Sequence, residues 1–154
     1  MGIVALTTWF ITAGAGLYLF AVWLIEHDGS KGRSASSRLR APVVFAHVML
    51  AVAGLTIWVV YMYVDADRLA WAAFFTLLPV VLLGLIMLTR WIPVHRAANA
   101  APSEVVSAAS GQIAVIIAGP PERNFPVPVV VIHGIFAVTT FLLVALTALG
   151  IGQS

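Results

Sequence analysis

Two histidines of this chain stand in matching apolar sequences. Residues 42–52 and 128–138 both fit the pattern P-V-V-x-x-H-x-x-x-A-V, with His47 and His133 at the same position. Proline is favoured in the first turn of a helix, so each histidine is predicted to lie about a turn and a half inside one. An ionisable side chain at that depth in an apolar segment is costly and indicates a functional site. The shared frame predicts a symmetric pair of ligands.

The elements that must position these histidines are long apolar runs. The chain of 154 residues is 62% hydrophobic and 9% charged, with a mean hydropathy of +1.05. Apolar runs of about 20 residues can cross a bilayer as helices, and four are predicted at 3–25, 42–63, 69–92 and 128–151. The third carries one charge, Arg90, near its end, where the side chain can reach the surface. The fold class predicted is all-α: one integral membrane domain, 1–154, built as an up-down-up-down four-helix bundle. The first run lacks the features of a cleaved signal peptide, so we expect it to be retained.

The positive charges predict the orientation of the bundle. Seven of the eight Lys/Arg residues lie at one end, in or beside the loops 26–41 and 93–127, and Arg68 is alone at the other end. By the positive-inside rule the basic loops are cytoplasmic and both termini are outside, in a bacterial-type inner or plasma membrane. This orientation explains the basic composition, so no nucleic-acid partner is expected. Tryptophans are expected to form belts at the two interfaces: Trp9, Trp58 and Trp71 outside, and Trp23 and Trp91 inside.

The match between helices 2 and 4 extends to helices 1 and 3. The pattern G-L-x₅-W-[LI]-x₂-H begins at Gly16 and again at Gly84, and it ends at His27 and His95. Helices 1–2 and 3–4 are therefore predicted to be two copies of one hairpin, related by an axis along the membrane normal. Sequential helices in such a bundle are neighbours, which makes helices 2 and 4 diagonal. His47 and His133 are then expected to face each other at equal depth.

A facing pair of imidazoles suits a planar macrocycle with one axial ligand on each side. The chain contains no cysteine, which excludes disulfides, thiolate chemistry, Cys-ligated iron–sulfur clusters and covalent haem. A b-type haem between His47 and His133 fits the remaining ligands. Small residues one and two turns beyond the histidines leave room for a porphyrin edge: Ala51, Gly54 and Ala137.

Further residues are candidates for binding the carboxylates of such a cofactor. Cationic side chains pair strongly with propionates, and those at the cytoplasmic end are Arg38, Arg40, Arg123, His27 and His95. Each arginine is also explained by the orientation signal alone.

Other interpretations of the same residues remain open. The histidines could form interhelical hydrogen bonds without a cofactor, or a transition metal could bind among the four histidines, for which Glu26 and Asp28 are the nearby carboxylates. The long Ala/Ser-rich segment at 97–127 could bind a partner, which would make the chain a non-catalytic accessory or assembly subunit of a membrane complex. No serine-hydrolase, zinc-protease or nucleotide-binding motif is present.

On His47, His133 and the four-span layout, the chain resembles small four-helix, bis-histidine membrane cytochromes b. The resemblance implies electron transfer between a redox partner and quinone or a larger respiratory complex, and a homodimer is also compatible with it. Members of that class commonly hold two haems at two depths. Because this sequence has no second histidine pair within its spans, it predicts a single haem near the cytoplasmic side. The resemblance does not establish enzymatic turnover.

Overall fold

The computed structural model describes residues 1–29, 37–100 and 120–151. These residues form four α-helices and one short 3₁₀ turn. In chain order the elements are α1 (Gly2–Gly29), α2 (Ala41–Val64), α3 (Asp67–Ala100), the 3₁₀ turn Pro121–Asn124 and α4 (Val127–Ala148). The prediction of an all-α protein is confirmed for the described residues. The segment 101–119, which forms most of the partner-binding segment proposed from the sequence, lies outside them, as do Lys31 and Arg33.

All four α-helices are long and apolar enough to cross a membrane. The helix starts agree with the proline signal, since α2 and α4 each have proline in the first two positions. Helices α1 and α3 run further than predicted, to Gly29 and Ala100 rather than residues 25 and 92. The apolar run ends before Pro93, but the helix continues through His95 and Arg96, because a helix outside the hydrocarbon needs no apolar side chains.

The helices pack as two close pairs. Helix α1 lies along α4 and α2 lies along α3, while α1–α2 and α3–α4 make fewer contacts. Neither α1 with α3 nor α2 with α4 makes a backbone contact, so the two histidine-bearing helices are diagonal. The two histidine-bearing helices therefore lie on opposite sides of the interface between the two pairs.

Equivalent contacts occur in both helix pairs. A shift of 68 positions takes α1 onto α3, and a shift of 86 takes α2 onto α4. Under these shifts fully buried Ala5 corresponds to fully buried Ala73, and fully buried Trp58 corresponds to Val144. The contacts, like the sequence patterns, thus have an approximate twofold relation.

The interior consists of two packed clusters. The larger lies at the end where the chain begins and includes Trp9, Trp58 and Tyr61; the smaller lies at the basic end around Trp23 and Leu39. The prediction of tryptophan belts was wrong for four of the five side chains. Trp9, Trp23, Trp58 and Trp91 are 0–7% exposed, and only Trp71, at 37%, is accessible. Small residues on the neighbouring helices let these indoles pack inside the bundle instead of facing lipid.

Candidate functional site

His47 and His133 lie beside each other in the bundle interior. Each is six residues from the first residue of its helix, which is about 9 Å along the axis. The centres of the two imidazole rings are 6.3 Å apart and their planes are inclined by 61°. Because the backbones of α2 and α4 make no contact, these two helices approach each other through their histidine side chains.

Each imidazole is fixed by a hydrogen bond to the helix beside it. His47 Nδ1 lies 3.0 Å from the carbonyl oxygen of Val80, and His133 Nδ1 lies 2.9 Å from that of Thr12. A carbonyl only accepts, so Nδ1 is the donor in both rings, and in a neutral ring this leaves the Nε2 lone pair free to bind a metal. Metal-binding histidines in proteins are commonly oriented by this kind of bond.

Two glycines make these hydrogen bonds possible. A helical side chain covers the turn before it, so Gly16 and Gly84 leave the carbonyls of Thr12 and Val80 uncovered. A methyl group at Gly16 would lie 2.9 Å from His133 Cε1, closer than real contacts allow, whereas one at Gly84 would lie 3.4 Å from His47 Cε1. Both glycines begin the repeated pattern in the sequence, but the pattern did not predict that they leave space for the imidazole rings.

The layer that holds the histidines lacks fully buried side chains. Between the two core clusters no described side chain in four segments is buried: 10–22, 45–53, 81–90 and 127–139. In this layer a planar group between the helix pairs would displace no fully buried side chain.

The small residues expected beside the histidines have different positions. Gly54 is buried, and a methyl group on it would lie 3.2 Å from the Trp9 indole, so its smallness serves the packing of the larger cluster. Ala51 packs against the same cluster. Ala137 is half-buried one turn beyond His133.

The other two histidines are not brought to the site. His27 stacks on Trp23 with ring centres 4.6 Å apart, and His95 stacks on Trp91 at 5.0 Å. His27 follows Gly16 by eleven residues, about 16 Å of helix. A compact metal site made from all four histidines therefore has no support in the geometry.

A buried carboxylate, Glu122, lies at the basic end of the bundle. It was not among the site residues predicted from the sequence. Glu122 is fully buried; Ser37 Oγ donates to its Oε2 at 2.9 Å and the Arg38 backbone N–H donates to its Oε1 at 2.6 Å. The Trp91 indole donates to the Glu122 carbonyl at 3.1 Å. We call residues 37–40 and 120–125, with the side chains of Trp23 and Trp91, the cap. A buried charge needs such partners, but nothing near Glu122 in the sequence indicated them.

The arginines expected to bind cofactor carboxylates surround the cap. Arg38, Arg40 and Arg123 are exposed, and no contact joins them to His47 or His133. Arg90, which was not a predicted site residue, donates to the Arg38 carbonyl at 3.3 Å.

The donor set limits what the site can bind. Among the described residues, no group of three or more His, Asp or Glu side chains could hold a metal ion. A bare zinc ion takes four ligands, which two imidazoles cannot supply. A cofactor that brings its own equatorial ligands needs only the two axial nitrogens.

No protein-family model matches the chain, and no curated protein or solved structure is significantly similar to it. The function must therefore be inferred from the site.

Proposed function

We propose that this protein is a single-haem, b-type membrane cytochrome that transfers electrons, with His47 and His133 as the axial ligands. The observation that carries the proposal is the paired geometry of these rings. They lie 6.3 Å apart at the interface between two helix pairs, and each Nδ1 is bonded to a backbone carbonyl at 2.9–3.0 Å.

The spacing of the rings supports this ligation. Two trans imidazoles at metal–nitrogen distances of about 2.0–2.1 Å have ring centres roughly 6 Å apart. The observed separation is 6.3 Å. Interhelical hydrogen bonds alone also explain a half-buried histidine, but they do not require two rings to lie at this separation.

Bound haem would supply reversible one-electron chemistry at iron. The chain's own residues hold and shield it. Thr12 and Val80 orient the imidazoles through their carbonyls, and the packed cluster around Trp9 and Trp58 separates the site from the far end of the bundle. The propionate role predicted from the sequence for Arg38, Arg40 and Arg123 is not part of this proposal, because these side chains are exposed at the cap and contact neither histidine.

The topology belongs to the same proposal. The chain crosses the membrane as an up-down-up-down bundle derived from a duplicated hairpin, and its basic end is cytoplasmic. A single site near that end exchanges electrons with a partner on the same side and with quinone or a larger respiratory complex.

A visible spectrum with histidine variants tests the proposal. The detergent-purified protein, produced in cells supplied with haem, is compared as reduced-minus-oxidised spectra with His47→Ala and His133→Ala. His27→Ala and His95→Ala are matched controls, since these rings stack on tryptophans away from the site. We expect sharp α and Soret bands in the wild type and both controls, and their loss in His47→Ala and His133→Ala.

A colourless, folded wild-type protein would overturn the proposal. The accessory-subunit interpretation, in which the segment 97–127 binds a partner, would then take its place. Bands that survive in both axial variants would place the haem elsewhere.

A further inference from the structure

The cap holds two arginines in fixed positions over the end of the bundle. Leu39, between them, is 5% exposed and packs with Trp23 and Val44. With Leu39 anchored inside, Arg38 and Arg40 extend outside on either side of it. Their backbone is therefore immobilised while their guanidinium groups remain accessible.

The Arg38 backbone is fixed on both sides. Its N–H donates to Glu122 Oε1 and its carbonyl accepts from the Arg90 guanidinium of α3. Ser37 Oγ accepts from the Trp23 indole of α1, and the Arg38 carbonyl accepts from Arg90 of α3, the helix diagonal to α1. The segment that contains Arg38 therefore joins α1 to α3 across the end of the bundle.

The positive charge of this surface is not neutralised within the described residues. The buried acid of the cap, Glu122, is satisfied by neutral donors, the Ser37 hydroxyl and a backbone N–H. No described carboxylate pairs with the side chains of Arg38, Arg40 or Arg123. Positive charge alone is enough to set membrane orientation, and it does not need a fixed backbone. A fixed backbone is useful for binding, because it lowers the entropy lost when a partner associates.

We propose that Arg38 and Arg40, with Arg123 beside them, form the docking surface for an acidic protein that exchanges electrons with the His47–His133 site. The inference rests on the proposed function. Arg40 is seven residues from His47, about 10 Å along α2, so a protein docked here lies over the site. Complementary charge mainly raises the association rate.

The test is the rate of electron delivery by two donors of opposite charge. The wild type and an Arg38→Gln/Arg40→Gln variant are placed in nanodiscs of phosphatidylcholine and oxidised. Each is mixed by stopped flow with a reduced acidic flavodoxin or with cationic hexaammineruthenium(II), each of which gives one electron to the iron. Arg68→Gln is the control, because Arg68 is the one Lys/Arg residue at the opposite end.

We expect the variant to accept electrons from flavodoxin roughly tenfold more slowly at low ionic strength, as loss of charge steering predicts. Its rate with the ruthenium complex should stay the same or rise, and Arg68→Gln should match the wild type in both assays. The haem spectrum of the double variant should equal that of the wild type.

Three results would overturn the inference. Equal rates of electron transfer from flavodoxin to the wild type and the double variant would show that Arg38 and Arg40 do not form its docking surface. A difference that appears only when phosphatidylglycerol replaces phosphatidylcholine would identify lipid headgroups as the occupant. A changed haem spectrum in the variant would assign the arginines to the cofactor. Absence of haem from the wild type is a separate outcome, since it contradicts the proposed function itself.

Discussion

At the scale of single residues, the site depends on two glycines as well as on two histidines. His133 reaches the Thr12 carbonyl because Gly16 has no side chain to cover it, and His47 and Gly84 repeat the arrangement around Val80. The two halves are not identical. The His133 ring is wedged more tightly against its glycine, so the halves should respond differently to the same substitution.

Gly16→Ala should therefore weaken haem binding more than Gly84→Ala. The added methyl group at position 16 must displace the His133 ring, and disturbed second-shell orientation typically costs about 10–100-fold in affinity. The methyl at position 84 meets only an ordinary contact, at 3.4 Å. Haem titration of the apoprotein measures both affinities.

Gly14→Ala is the matched control, because nothing lies within 4 Å of a methyl group there. This helical substitution should keep wild-type affinity and stabilise α1 by about 1 kcal/mol. Equal losses of haem affinity in Gly16→Ala and Gly84→Ala would contradict the tighter contact assigned to Gly16 and the His133 ring.

At the scale of elements, the connections between helices are part of the folded structure. Helix α1 meets the cap through Trp23, whose indole donates to Ser37 Oγ at 3.2 Å, and α3 meets it through Trp91. Both tryptophans occupy the same repeat position. Glu122 joins the α1–α2 connection to the 3₁₀ turn before α4, so it links parts of the chain that are 84 and 85 positions apart.

Glu122→Ala should destabilise the basic end. The substitution leaves the Arg38 N–H without its acceptor, which costs about 1–3 kcal/mol for a buried donor. The Ser37 hydroxyl keeps the Leu39 carbonyl, at 3.0 Å, as an alternative acceptor. We expect a lower unfolding temperature in detergent and faster proteolysis at residues 37–40. Glu122→Gln keeps one acceptor oxygen, so its unfolding temperature should lie between those of the wild type and Glu122→Ala.

Glu26→Ala is the control for charge, because Glu26 is an exposed acid at the same end. It should behave as the wild type. If Glu122→Ala unfolded at the wild-type temperature, the cap would not be held by this carboxylate.

At the scale of the whole molecule, the charge asymmetry is the basis of the proposed orientation. Among the described residues, Arg38, Arg40, Arg90, Arg96 and Arg123 are at the end that carries the cap, and Arg68 is at the other. On the positive-inside rule, we expect the capped end to be cytoplasmic.

Cysteine labelling tests this orientation cleanly, because the chain has no cysteine of its own. Asp67→Cys, at the start of α3, should react with a membrane-impermeant maleimide in intact cells. Asn124→Cys, exposed at the basic end, should react only after the cells are permeabilised. The opposite pattern would reverse the orientation and move the site to the outer side.

The sequence predicted the four helices and the histidine pair because both depend on local patterns. Apolar runs of membrane length define spans, and the proline in each repeat places the helix start that sets the depth of His47 and His133. The hydrogen bonds to Thr12 and Val80 depend on how α1 packs on α4 and α2 on α3, which no local pattern specifies.

Two features of the cap and core could not be predicted for the same reason. Glu122 is buried by contacts from segments far apart in the chain, although in the sequence it is one acid in a polar loop. Trp9 and Trp58 stand near the ends of their apolar runs, where interface residues are expected. In the structure, Gly54 on α2 leaves space for the Trp9 ring, which packs against Trp58 in the interior.

The most direct test of the account is the number and spin state of haems in the purified wild-type protein. Haem content per chain is measured by pyridine haemochrome, and ligation is measured by electron paramagnetic resonance of the oxidised form. Two axial imidazoles from His47 and His133 predict one haem per chain with a low-spin ferric signal. A chain without haem, a ratio of two, or a high-spin signal would contradict the assignment of these histidines as a single axial pair.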